Sequence, residues 1–192
     1  MHRSLKLITA AVNPLFTTAQ AKQHLRVDTT ADDTIIDNLI LAATQSCEIY
    51  TNRYFITTVV EQYADNFNGL QHLYKSPVAS VTHIKYYDNS DSLQTWDAAN
   101  YIVDNVTQPA RIALAVNKSY PAVSDRINAV VAKYEVGYGD NSSDVPEGIR
   151  QAVLLCIANW YENRQTVVTG TIATELPLSS QYLLNQYKIQ VC

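Results

Sequence analysis

Glycine is scarce in this chain, with five among 192 residues. Phosphate cradles need several glycines at set spacings, because the backbone must approach the ligand closely and turn through positive φ. No GxGxxG, no P-loop and no GxSxG elbow occurs. Cysteine is equally thin. Cys47, Cys156 and Cys192 are widely spaced and no CxxC exists, so neither a zinc knuckle nor a redox pair is indicated. His2, His24, His72 and His83 form no HxH or HExxH pattern. Charge is low too, at 17% against a usual ~25%. There is no basic run and the net charge is −4, which argues against duplex DNA as a ligand of the monomer. Long apolar runs are missing as well. The patch Leu5–Val12 is too short to span a bilayer, and Asn13-Pro14-Leu15 is a poor signal cleavage site. The expectation is a soluble protein made in the cytoplasm, with no membrane partner and no cofactor.

What is present points to contacts between proteins. Hydrophobic content of 47% is ordinary for a globular chain, and 192 residues suffice for one domain with a subdomain inserted. Asn, Gln, Ser, Thr and 13 Tyr occupy the polar positions. Tyrosine-rich, charge-poor surfaces suit interface cores.

The strongest periodic stretch is Asp144–Gln165. Ile149, Ala152, Val153, Cys156, Ile157 and Trp160 fall on one helical stripe, and Leu154 and Leu155 widen it. Asp144 and Glu147 have capping-box spacing, and Pro146 suits a first turn. A helix apolar over so much of its circumference buries itself on two sides. A second long helix is predicted over about 31–52, with Thr30 as N-cap and Ile36, Leu39, Ile40, Ala43, Cys47 and Tyr50 in register. These two helices, about 31–52 and 145–165, form the predicted core. Cys47 and Cys156 serve there as small hydrophobes. A short helix over Thr17–Leu25 precedes them, with Gln20 three residues after Thr17.

Between the helices the pattern changes to short β-branched and aromatic runs: Phe55–Phe67, Leu70–Lys75, Val78–Asp88, Leu93–Trp96, Asn100–Asp104, Arg111–Ala115 and Ala129–Tyr138. Turn residues such as Asp88–Asp91 separate them. The class is therefore α+β: a small helical bundle with an inserted antiparallel β subdomain and an extended C-terminal tail. The predicted division is 17–54 with 144–165 as helical core, 55–138 as the β insert, and 166–192 as a docking tail. That tail loses periodicity after Arg164 and regains a short helix over Ser179–Lys188.

Chemistry is hard to find. Asp32, Asp33 and Asp37 invite a metal-dependent nuclease reading, but carboxylates at a helix start serve the macrodipole. Asp140–Asp144 lacks the glycine and distal glutamate of a calcium loop. No catalytic, cofactor-binding or metal residue is assigned.

Taken in order, several short motifs resemble the head–tail connector (adaptor, or head-completion) proteins of long-tailed bacteriophages and gene transfer agents, in the longer form with a β insert. They begin with Ala21, His24-Leu25-Arg26-Val27, Asp33, Ile36, Leu39-Ile40, Glu48, Tyr50, Thr51 and Arg53. Ser76-Pro77-Val78, Ser80-Val81, Tyr86-Tyr87-Asp88, Tyr101 and Val103-Asp104 follow. The last are Gly137-Tyr138-Gly139, Val145-Pro146-Glu147, Ile149 to Ala152, Tyr161-Glu162-Asn163-Arg164, Glu175-Leu176-Pro177 and Leu183 to Tyr187. The resemblance implies a structural virion protein at the head–tail junction, in a ring, typically a dodecamer, beneath the portal. Such a ring continues the DNA channel, with DNA only in transit, and meets the next neck or tail-completion protein. It implies no catalytic residues.

On this reading the two-sided apolar helix and the tail supply unlike patches for a ring. Leu176, Pro177, Tyr182, Leu183, Leu184 and Tyr187 are expected to anchor the tail on the portal or a neighbouring subunit. The β insert, with its Asp88–Asp91 turn, is a candidate surface for the next neck ring. The alternatives are the nuclease on Asp32, Asp33 and Asp37, or a dimeric regulatory binding module.

Overall fold

A computed structural model of the chain describes residues 4–163, 167–168, 171–172 and 176–189. Two units emerge, each made of segments distant in sequence. One holds Val12–Ile56 and Gly139–Gln190 and is helical; the other holds Met1–Ala11, Thr57–Tyr138 and Val191–Cys192 and is built on sheet. The class is α+β, and the boundaries differ from those expected. The C-terminal segment belongs to the helical unit instead of standing apart, and the N-terminal segment joins the sheet.

The helical unit contains α1 (Thr18–Leu25), α2 (Asp33–Thr51), α3 (Glu147–Glu162) and α4 (Leu178–Asn185). Thr17 caps α1 through a full capping box with Gln20. Ile36, Ile40, Ala43, Cys47 and Thr51 are the buried face of α2; Ile149, Ala152, Val153, Cys156 and Ile157 are that of α3. Each fully buried Ile or Val there contributes about 1.5–3 kcal/mol of apolar burial. The seam is tight enough to bring Cys47 Sγ within 3.9 Å of Cys156 Sγ. That contact and burial push the Cys47 thiol far above its usual range, so it stays protonated. Leu39 and Trp160, expected in the core, are only half-buried.

Two expected helix starts are corrected. The N-cap of α2 is Asp32, not Thr30, and the N-cap of α3 is Pro146. Asp144 caps an earlier turn: its carboxylate accepts the Asn141 N–H at 3.0 Å. Pro146 has no N–H that needs an acceptor, and α3 starts without a side-chain cap. Residues 164 and 165, expected at the end of α3, lie outside the described residues.

In the other unit β1 (Ser4–Thr9), β2 (Thr58–Ala64), β3 (Val78–Tyr87), β4 (Leu93–Trp96) and β7 (Val130–Val136) form a five-stranded antiparallel sheet ordered β1-β2-β7-β3-β4. A separate hairpin pairs β5 (Tyr101–Asp104) with β6 (Arg111–Leu114). Alternation on the central strands buries Val60, Ile84, Ala132, Tyr134 and Val136 on the inner face. Gln62 is buried among them and spends both ends of its amide. Its nitrogen donates to the His72 carbonyl at 2.9 Å, while its oxygen accepts the Tyr74 N–H at 2.9 Å and the Tyr134 hydroxyl at 3.0 Å.

Leu70–Lys75, expected as strand, is instead a 3₁₀ turn over Phe67–Leu70 followed by irregular chain with one bridge, His72 to Arg111. Phe67 opens an aromatic cluster, 4.6 Å from Trp96 and 5.1 Å from Tyr120 between ring centroids. Much of the tyrosine content is thus spent inside the unit.

Candidate functional site

The described C-terminal residues are held on the helices of their own unit. The Ser180 hydroxyl donates to the Ala152 carbonyl at 2.9 Å in a buried contact. The Tyr50 hydroxyl donates to Asn185 Oδ1 at 2.7 Å, and the Ile189 N–H donates to the Thr51 carbonyl at 3.0 Å. Arg53 Nε donates to the Tyr187 carbonyl, and the Lys188 ammonium lies 4.3 Å from the centre of the Tyr50 ring. Gly148 makes room for this packing, since a Cβ there would sit 3.1 Å from the Tyr187 ring.

The six residues expected to anchor the tail therefore divide. Leu184 and Leu176 are buried within their own unit, and Pro177, Leu183 and Tyr187 are half-buried. Tyr182 remains 80% exposed, beside Leu178 at 83%, one helical turn away on α4. Leu178 is not named from the sequence because the short helix is expected over Ser179–Lys188, whereas α4 runs Leu178–Asn185 and begins one residue earlier. A loose tail is corrected to a docked helix with one bare apolar pair.

The outer face of α2 offers a second uncovered surface. Ile35, Leu41 and Ile49 are exposed at 41, 54 and 77%. Asn38, Ala42 and Gln45 complete the stripe from Ile35 to Ile49, about 21 Å long at the standard rise. No charged residue occurs between Asp37 and Glu48. Exposed apolar area with charge excluded marks a surface made to be covered.

The carboxylates that suggested chemistry are separately engaged. Asp32 accepts the Tyr161 hydroxyl at 2.6 Å, Asp33 pairs with Lys22 at 2.7 Å, and Asp37 accepts the Thr18 hydroxyl at 2.5 Å. Among the described residues no three His, Cys, Asp or Glu side chains are gathered to share a metal ion. A groove of about 690 Å³ opens beside α1, lined by Thr18, Lys22, Arg26, Asp28 and Asp33 among others. The two cations and two carboxylates among these residues balance in charge.

In the other unit the carboxylates of the Asp88–Asp91 turn are engaged locally and with Arg126. Asp88 accepts the N–H groups of Ser90 and Ser92 and the Gln94 amide, which hold its carboxyl below the usual range. Asp91 pairs with Arg126, whose guanidinium lies over Tyr87.

The family model described as "Phage gp6-like head-tail connector protein" matches residues 17–188. Among solved structures, a chain in the "Neck of empty GTA particle computed with C6 symmetry" superposes with a TM-score of 0.77 at 22% identity, covering 98% of this chain and 97% of that one. A chain in the "Virion of native gene transfer agent (GTA) particle" gives 0.77 at 23% identity over the same shares. A third, in the "Neck of native GTA particle computed with C12 symmetry", gives 0.72 at 22% identity, again over 98 and 97%. No curated protein matches the chain.

Proposed function

The chain belongs to the phage gp6-like head–tail connector family, and on that premise we propose that it works as one subunit of a ring beneath the portal. The role is mechanical: copies close around the DNA channel and present a surface to the next neck or tail-completion protein. No reaction is assigned to it.

The observation that carries this reading is the uncharged outer stripe of α2. A ring needs heterologous contacts, in which one patch of each copy meets a different patch of the next. The α2 stripe is one such patch, and the Leu178–Tyr182 pair on α4 is the natural candidate to meet the portal. The structures that share this fold come from necks described with C6 or C12 symmetry, which supports a ring of copies here.

The test is assembly. Portal-bearing heads incubated with the purified chain should gain a ring of density below the portal. Ile49→Lys should prevent the ring while leaving the isolated chain folded. Heads that bind the variant as well as the parent would remove the α2 stripe from the contact, and particles without this chain at the neck would end the reading.

A further inference from the structure

Charge is poorly matched on the outward face of the five-stranded sheet. The strand register sets Lys6, Glu61, Lys133 and His83 in one cross-strand row, and Lys85 follows His83 on the same face of β3. Lys133 and His83 stand directly opposite each other, an arrangement that costs stability whenever both are charged. The carboxylates nearby are already in use. Glu61 accepts the Tyr63 hydroxyl at 2.6 Å and Glu135 accepts the Ser80 hydroxyl at 3.0 Å. Among the described residues, Lys6, Lys85 and Lys133 have no carboxylate within 4 Å. His83 registers the result: desolvation first, then Lys85 and Lys133, lower its pKa.

The chain's net charge is also divided unevenly. The β unit holds eight Lys or Arg and eight Asp or Glu; the helical unit holds six and ten, so the whole excess of −4 lies there. Part of that excess collects where α1 ends, α2 begins and α3 ends. There Tyr161 holds Asp32, Lys22 neutralises Asp33 and Thr18 holds Asp37, and among the described residues Asp28, Asp37 and Glu162 have no cation within 4 Å. Exposed Asp28 and Glu162 lie on the same chain segments. Glu162 occupies the last turn of α3, where the macrodipole disfavours a carboxylate and no basic residue stands in the same turn. Surfaces of opposite charge on one chain are complementary to each other, and such complementarity steers and orients association between copies.

We propose that the lysine-bearing sheet face of one copy docks on the acidic end of the helical unit of the next. This rests on the ring reading, because a contact between unlike patches is the kind that closes a ring. Charge complementarity selects a second copy as the occupant. DNA fits less well: three lysines interleaved with Glu61 and Glu135 give no continuous track for a phosphate backbone.

The experiment uses particles assembled from a mixture of unlabelled and isotope-labelled copies. A carbodiimide, which joins an amine to a carboxylate without a spacer, is applied, and cross-linked peptides are read by mass spectrometry. Mixed-isotope products joining Lys6, Lys85 or Lys133 to Asp28, Asp37 or Glu162 are expected. Those from Lys85 and Lys133 should be lost, and that from Lys6 reduced, in Lys85→Gln/Lys133→Gln. Lys133→Glu should weaken assembly, and adding Glu162→Lys should restore part of it. Neck density for the chain without those mixed-isotope products overturns the contact alone, as do lysines joined instead to another neck protein or shielded by DNA. Particles lacking the chain at the neck overturn the ring reading and this contact with it.

Discussion

Leu184→Ala separates a docked C-terminal helix from a free one. Leu184 is wholly inaccessible on α4, and Ser180, one turn earlier, bonds the Ala152 carbonyl of α3. Truncation removes the transfer energy of the lost carbons and leaves a cavity, at a cost of about 2–5 kcal/mol. At about 2–4 °C per kcal/mol for a chain of this size, a loss near 3 kcal/mol lowers Tm by about 6–12 °C. The two tryptophans make the assay specific, because Trp96 lies in the β unit and Trp160 in the helical unit. In a Trp96→Phe background, fluorescence follows the helical unit through Trp160. Thermal and urea unfolding of the isolated chain, with and without Leu184→Ala, give the difference. Tyr182→Ala, at 80% exposure, is the control and should move stability by no more than about 0.5 kcal/mol. A Leu184→Ala chain that melts with its parent would show α4 undocked in the free subunit, and the argument for a folded-back tail would fail.

Other expectations follow from single sites. Gln62→Leu should cost about 1–3 kcal/mol, because it removes the amide that bonds the His72 carbonyl, the Tyr74 N–H and the Tyr134 hydroxyl; denaturant unfolding of the β unit checks it. Asp104 should titrate at about 2, held down first by Arg111 and then by Thr107. Its folded pKa lies below the ordinary value of 3.8, so its contribution is present above that value and disappears as pH falls through about 2. Carboxyl NMR should show this midpoint rising toward the ordinary range in Arg111→Ala. Leu178→Ala/Tyr182→Ala should leave the melting curve in place and weaken retention on portal-bearing heads, read by co-sedimentation.

Periodicity made the two long helices legible, because an apolar stripe at 3.6 residues has no other economical explanation. The buried positions Ile36, Ile40, Cys47, Ile149, Val153, Cys156 and Ile157 could be named from spacing alone. The same logic overreached at Leu39 and Trp160: spacing gives the stripe but not where a neighbouring helix stops covering it. Strand boundaries were readable where alternation was strong, as on β7, and failed at Leu70–Lys75, where local bonding to Gln62 replaced a ladder. The joining of β1 to β2 left no local signal, since pairing partners separated by some fifty residues share no pattern that either displays alone.

The order of short motifs along the chain was sufficient to place the protein in its family, and composition to turn attention from catalysis to contact. Those properties are carried by residue identity and spacing, which need no coordinates. Which surfaces are left bare is a different kind of fact. Leu184 and Tyr182 are both apolar-bodied residues of one short helix, yet one fills the core and the other stands in solvent. Three aspartates that read as a cluster are held by three separate donors, while lysines far apart in sequence are aligned by strand register. Burial and charge neighbourhood are sums over partners brought together from distant segments, so only the folded chain could decide them.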